Sequence, residues 1–324
     1  MLTFSDILQA HRRIRAFVHA TPLLPSAFWP GLHFKMECWQ KTGSFKIRGA
    51  LNAVLALSPQ DKRPLVAASA GNHGLGVAFA AQKLRRRVII FVPKSVSPAK
   101  LNALQAMGVQ VQLGGRDYDE AEALALQFAA QKGYPFVHAF AAPEVIAGQG
   151  TVGLEIAEVL PEVQAVVVPI GGGGLISGVA LAIKTLLPGV RVIGVQSEAS
   201  PAMHAALQAG RVVETPVQPS LADGLAGRFV HETTLALTQR YVDEVVLVSE
   251  ASIAQAMHLL LARHKWVVEG SAAVGLAAWL EGSIPSAGTC AMILTGGNVS
   301  TAVIDGLLQK YAREGEMTTQ EASS

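Results

Sequence analysis

The sequence predicts an α/β fold of open, mostly parallel sheets covered by helices, and three observations predict it. Short β-branched runs alternate with alanine-rich stretches of helical spacing, the pattern of βαβ units with right-handed crossovers. Half of the residues are hydrophobic and only 15% are charged, as expected where strands are buried on both faces. Glycine-bearing turns follow several apolar runs, and in such sheets ligands gather beyond the carboxyl ends of strands. At 324 residues the chain is too long for one small core, so two packed lobes are expected.

Taken in order, the runs Leu65–Ala68, Val88–Val92, Val109–Leu113, Ala165–Val168, Val190–Val195, Glu244–Val248 and Ala291–Leu294 predict strands. Helical spacing and good helix formers predict helices over Gly74–Lys83, Pro98–Met107, Asp119–Lys132 and Ser252–His264. Arg85-Arg86-Arg87 reads as a solvated helix end favoured by the macrodipole. The polar tail Glu314–Ser324 is expected to fray. Val163–Ile183 carries no charge and is long enough to span a bilayer. Pro169 and the four glycines Gly171–Gly174 would leave backbone groups unpaired in lipid, so it reads as strand, loop and helix of a soluble protein.

Several function classes drop out. The net charge is +2 from 26 basic and 24 acidic side chains, with no basic stripe interleaved with aromatics, so no nucleic-acid partner is expected. Two cysteines, Cys38 and Cys290, form no CxxC pair, so neither a disulfide framework nor a zinc site is proposed. The N-terminus lacks the basic-then-apolar order of a signal peptide, and a cytoplasmic location without membrane attachment follows as the expectation. The dinucleotide fingerprint fails at Ile176, Ser177 or Leu175, depending on the starting glycine. A P-loop fails at Val179, the esterase elbow at Ala67, and no HExxH pattern occurs.

What remains is chemistry at Lys46 and three glycine turns. Lys46 stands among Gly43, Ser44, Phe45, Ile47, Gly49 and Ala50. Burial there disfavours the ammonium form and yields an amine able to condense with a carbonyl; pyridoxal phosphate is the commonest carbonyl cofactor held that way. A lysine snorkelling from a turn is the competing reading. Ser69-Ala70-Gly71-Asn72-His73-Gly74 follows one apolar run, and its small residues and helix-opening N–H groups suit a carboxylate or phosphate; an ordinary turn with Asn72 as helix cap is the alternative. Gly171-Gly172-Gly173-Gly174-Leu175 follows another, and consecutive glycines make a nest of backbone donors suited to a phosphate dianion. Thr295-Gly296-Gly297-Asn298 is the third.

Together these motifs resemble the threonine/serine dehydratase group of fold type II pyridoxal-phosphate enzymes, from about Arg13 to about Leu308. Ser44–Ala50 resembles the family's cofactor-lysine signature, Ser69–Gly74 its substrate-carboxylate loop, Gly171–Leu175 its phosphate loop, and Leu294–Asn298 the turn facing the pyridine nitrogen. Ala147–Thr151 and Val268-Glu269-Gly270 are further family-like stretches. The resemblance implies two open, mostly parallel sheets. It implies a small lobe, 49–136, inserted in a large one, 1–48 and 137–324, and a homodimer or homotetramer. It implies pyridoxal 5'-phosphate held covalently by Lys46, the base for the α-proton, with Phe45, Asn72 and Glu269 around the ring. The phosphate falls to Gly171, Gly172, Gly173, Gly174 and Leu175, the ring nitrogen to Thr295, and the substrate carboxylate to Ser69, Ala70, Gly71, Asn72 and His73. A neutral hydroxyl at the ring nitrogen weakens the electron sink, and prompt loss of a β-hydroxyl is expected. The implied reaction dehydrates and deaminates a β-hydroxy L-amino acid, L-threonine or L-serine first.

Departures narrow the expectation. Thr295 stands where many relatives carry serine, and Ala70 where racemases of the family carry a second serine, so racemisation should be poor. Gln196 and Ala202 occupy positions of acidic cation ligands in metal-dependent relatives, so no metal is expected. His73-Gly74-Leu75 lacks the glutamine found after the loop elsewhere. Only 27 residues follow Gly297, too few for a regulatory domain. Arg228 and His231 would favour an acidic side chain such as that of a 3-hydroxyaspartate, the alternative substrate class along with hydroxyectoine-type breakdown products; β-replacement is less favoured.

Overall fold

Apolar runs of four to seven residues become buried strands in two separate sheets. A computed structural model describes residues 2–284 and 288–321, with side chains described to residue 312. The larger sheet has the order β1 (Leu23–Pro25), β2 (Leu32–Lys35), β9 (Cys290–Ile293), β6 (Ala165–Pro169), β7 (Arg191–Ser197), β8 (Glu244–Val248). Its neighbours run parallel except β1, which is antiparallel to β2. The smaller sheet holds β3 (Leu65–Ala68), β4 (Val88–Val92) and β5 (Gln110–Leu113), all parallel.

Helices α1 (Phe4–Ile14), α2 (Lys46–Ala56), α3 (Asn72–Lys83), α4 (Pro98–Ala106), α5 (Tyr118–Lys132) and α6 (Pro143–Val159) belong to the first half of the chain. The second half adds α7 (Gly174–Leu186), α8 (Ala202–Ala209), α9 (Glu232–Tyr241), α10 (Glu250–Leu259), α11 (Gly270–Leu280) and α12 (Thr301–Glu321). No described helix is long and apolar enough to cross a membrane.

Strand alternation divides the core. Val167 and Met292 join the cluster on one face of the large sheet, whereas Val166, Val168, Ala291 and Ile293 join the other. In the small sheet Leu65, Ala67, Ile90 and Val92 face one cluster, and Val66, Ala68, Ile89 and Phe91 the other. Period-two side chains buried on both sides explain why these strands read as continuous apolar runs, and each Val, Leu, Ile, Phe or Met among them contributes about 1.5–3 kcal/mol.

Two packing features position the site. Helices α6 and α7 cross closely: a Cβ on Gly178 would stand 2.3 Å from the Ile146 carbonyl oxygen, and one on Gly150 2.9 Å from that of Gly178. The crossing fixes α7, whose N-terminus carries the glycine loop. Beneath α2 lies a buried ionic cluster. Arg48 donates to Glu37 Oε1 and Oε2 at 2.8 Å each and to Glu155 Oε1 at 2.6 Å, while Lys35 Nζ donates to Glu155 Oε2 at 2.5 Å.

Local structure departs from expectation at four places. Gly71, not Asn72, is the N-cap of α3, and Asn72 is its first residue. Arg86 is no freely solvated helix end: it is 5% exposed, donates to the Arg63 carbonyl at 2.7 Å and lies 3.6 Å from Asp61. The stretch Ser252–His264 is not one α-helix, because α10 gives way to π-helical Leu260–His264, closed by Lys265 at φ 63°. The tail does not unwind where it was expected to fray; its backbone stays helical to Glu321, and residues 322–324 lie outside those described.

Candidate active site

A cavity of about 440 Å³ opens where the turns after β3 and β6 and the turn after β9 meet the start of α2, in the size range of small-molecule sites. The sequence-selected residues converge on it. Phe45 and Lys46 come from the entry to α2, and Ser69, Ala70, Gly71, Asn72 and His73 from the turn into α3. Gly171, Gly172, Gly173, Gly174 and Leu175 come from the turn into α7, Thr295 from the end of β9 and Glu269 from the residue before α11. Arg228 is absent from the lining; His231 is present and caps α9, its Nδ1 accepting from Thr233 N at 3.1 Å.

Backbone contacts stitch these pieces together. Phe45 N donates to the Thr295 carbonyl at 3.0 Å, Gly297 N to that of Gly43 at 2.9 Å, and Glu269 N to that of Gly296 at 3.0 Å. Lys46 is thereby held against the β9 turn although almost 250 residues separate them. Its Nζ donates to the Ala139 carbonyl at 3.1 Å and lies 5.3 Å from the Phe45 ring centre. Burial pushes the amine down to about 8, against the opposing charges of Glu269 and Glu122. The part-buried side chain thus turns into the cavity rather than out from a surface turn.

The other titratable groups are shifted by the same cause. Burial raises Glu269 to about 7, although hydrogen bonds from Asn72 Nδ2 at 2.8 and 3.1 Å favour its charged form. Asn72 Oδ1 in turn accepts from Asn298 Nδ2 at 2.7 Å. Burial drives His73 down to about 3; the neutral ring donates from Nε2 to the Val137 carbonyl at 2.9 Å. His138 falls to about 4, also through burial, and its Nδ1 accepts from Phe140 N and Ala141 N at 3.2 Å each.

Lining residues that the sequence did not single out are Tyr118, Asp119 and Glu122 on α5, His138 and Phe140, Lys100, Asp223 and Ser271. Acidic residues in the first turns of a helix are already explained by its dipole, so α5 gave no signal. Ser271 had one: it sits two residues beyond Glu269, within the first turn of α11.

The residues present fit pyridoxal phosphate. Gly173 adopts φ +91°, and α7 begins with no side-chain cap, leaving its first N–H groups for an anion. Side chains on Gly172 or Gly174 would stand 2.5 Å from Phe140 atoms, so the loop must stay bare. Ser271 Oγ and His73 Nδ1 are buried beside the cavity without hydrogen-bond partners among the described residues, and buried orphans of this kind call for a ligand.

The chain matches the pyridoxal-phosphate dependent enzyme family over residues 14–296. It belongs to that family. The chain is 46% identical to the L-threonine ammonia-lyase of Thermotoga maritima over 316 residues, covering 96% of this chain and 79% of the relative. It is 43% identical to the L-threonine ammonia-lyase of Geobacter sulfurreducens over 318 residues, with the same shares covered. The structure superposes on a crystal structure of the T.th. threonine deaminase with a TM-score of 0.86 at 39% identity, covering 92% of this chain and 99% of that one. Maize serine racemase gives 0.88 at 32% identity, covering 97% and 99%. The α/β architecture is therefore that of fold type II pyridoxal-phosphate enzymes, and the protein is a pyridoxal-phosphate-dependent enzyme.

Proposed function

We propose that the protein is an ammonia-lyase acting on L-threonine and L-serine. The observation that carries the proposal is one cavity that brings together a lysine amine lowered to about 8, a bare glycine loop and Thr295. The names of the relatives support the choice of substrate.

Lys46 would hold the cofactor covalently; Gly171–Gly174 and the N–H of Leu175 would take its phosphate, and Phe45, Asn72 and Glu269 would surround the ring. Thr295, whose hydroxyl makes no hydrogen bond to described residues, would serve the ring nitrogen without ionising it. The bound cofactor supplies the electron sink that makes the Cα proton removable. Ser69, Ala70, Gly71, Asn72 and His73 orient the substrate carboxylate with backbone donors. The Lys46 amine, once free, accepts the Cα proton. Breaking Cα–H and Cβ–OH releases water and leaves a 2-aminoalkenoate, which water converts to the 2-oxo acid and ammonia. Ala70 offers no acid or base for reprotonation, which favours elimination over racemisation.

Of the two residues offered for an acidic side chain, Arg228 is committed to Asp119 at 2.8 Å and to Asp117 and Glu214 at 3.4 Å each, whereas His231 lines the cavity. We also infer that segment 49–136 closes as a small lobe over 1–48 and 137–324, supported by Lys100–Asp223 at 2.6 Å across the cleft. A cytoplasmic homodimer or homotetramer is the assembly we propose. Two unpaired cysteines and the exposed aromatic side chains of Phe28 and Trp39 support it.

The test mixes cofactor-loaded protein with L-threonine and follows 2-oxobutanoate and ammonia together. Equal release of both is expected. An intact cofactor spectrum with neither product would overturn the assignment.

A further inference from the structure

Glu122 is a charged group on the cavity wall that the chemistry above leaves unused. It lies in the second turn of α5 with its side chain 16% exposed, and it lines the cavity. Tyr118 Oη donates to its Oε1 at 2.6 Å, and His138 Nε2 is 3.8 Å from the same oxygen. Oε2 has no hydrogen-bond partner among the described residues. The carboxylates whose charge reaches the Lys46 amine are Glu269 and Glu122. Glu269 is tied to Asn72 on one wall, Glu122 to Tyr118 on another. A substrate whose Cα comes within proton-transfer reach of Lys46 therefore carries its β-substituent into the field of these two groups.

Burial raises the Glu122 carboxyl above its ordinary 4.5, and the Tyr118 hydroxyl and the Lys46 charge act against that. Asp119 adds a second negative charge, and the neutral His138 adds none. Lys46 is the cation whose charge reaches it, while Lys100 pairs with Asp223 and Arg228 with Asp117, Asp119 and Glu214. A β-hydroxyl is a donor that the open Oε2 can accept from. A β-carboxylate would meet like charge in a partly desolvated pocket.

We propose that Glu122 sets the β-substituent selectivity of the site, accepting a hydrogen bond from a β-hydroxyl and turning away substrates with a second carboxylate. The assignment rests on the ammonia-lyase reading and names its substrate class as neutral β-hydroxy amino acids.

The isosteric Glu122→Gln keeps an acceptor oxygen and removes the charge. In this variant kcat/KM for L-threo-3-hydroxyaspartate relative to L-threonine rises about tenfold or more. Inhibition by L-aspartate, which reads binding without turnover, tightens by a similar factor. Glu122→Met removes the acceptor as well, so KM for L-threonine rises about threefold to tenfold while kcat changes less. Cofactor absorbance shows that each variant retains its fold. If the wild type turns over threonine and neither the ratio nor aspartate inhibition moves by more than twofold, the assignment to Glu122 is wrong and the lyase reading stands. If the wild type converts no β-hydroxy amino acid, the lyase reading fails and takes this assignment with it.

Discussion

Removing Arg48 should cost as much stability as a large core truncation, because it unbalances a buried charge cluster. Lys35, Arg48, Glu37 and Glu155 have side-chain exposures of 2, 0, 0 and 9%. Two positive and two negative charges cancel only while all four are present. In Arg48→Met, Glu37 keeps the Thr21 hydroxyl at 2.5 Å and Glu155 keeps Lys35 at 2.5 Å. Five hydrogen bonds from the guanidinium to Glu37, Glu155 and Thr151 vanish, and one buried negative charge is left over. Such a residue of charge costs about 3–5 kcal/mol. The assay is the denaturant midpoint of the cofactor-free protein. Adding Glu37→Gln restores neutrality, so the double variant should be more stable than the sum of the singles by about 1–3 kcal/mol. Strict additivity, or a cost below about 1 kcal/mol for Arg48→Met, would refute the balance argument.

The same cluster sets an acid limit. Burial alone would raise the Glu155 carboxyl, but Arg48 and Lys35 together override it and hold it below its ordinary 4.5. A depressed carboxyl stabilises the fold above its unfolded-state pKa and loses that contribution as pH falls through the folded value. Acid unfolding should therefore steepen below about 4.5, and Glu155→Gln should flatten it.

Three other outcomes are expected. Covalent capture of pyridoxal phosphate by the cofactor-free protein should speed up with rising pH and level off above about 8, as the Lys46 amine loses its proton; absorbance follows it, Lys46→Ala shows none, and a flat profile contradicts the buried amine. Gly178→Ala places a Cβ 2.3 Å from the Ile146 carbonyl oxygen on α6, so thermal denaturation should show destabilisation of about 1–3 kcal/mol; a neutral result would mean the α6–α7 crossing is loose. Lys100→Ala removes an exposed ion pair to Asp223 across the cleft and should raise KM about twofold to fivefold, equivalent to at most about 1 kcal/mol; added salt should affect the wild type more than the variant in steady-state kinetics.

What the sequence made legible follows from how each element is stabilised. Strands β3, β4, β6 and β9 are buried on both faces, so each shows as an unbroken apolar run; in β7 the run is Val192–Val195. Strands β1 and β2 carry Pro25, His33 and Lys35; Lys35 is buried only because Glu155 meets it from α6, a partner 120 residues away. Helix α6 was illegible for a related reason. Gly148, Gly150 and Gly153 lower its intrinsic helix propensity, yet each is required where α2 or α7 approaches its backbone. The site divides in the same way. Lys46, the glycine loop and the Ser69–His73 turn are contiguous in sequence, because backbone donors and a helix start do their work and a short motif records it. Glu122, His138 and Ser271 act as isolated side chains from separate elements, and locally each looks like an ordinary helix or loop residue. On the proposed assignment of the site, recognition of the cofactor is written in local motifs, whereas discrimination among substrates falls to cavity residues of α5 and the 138–140 segment. Two chains sharing the motifs read here can differ in substrate through a single residue such as Glu122.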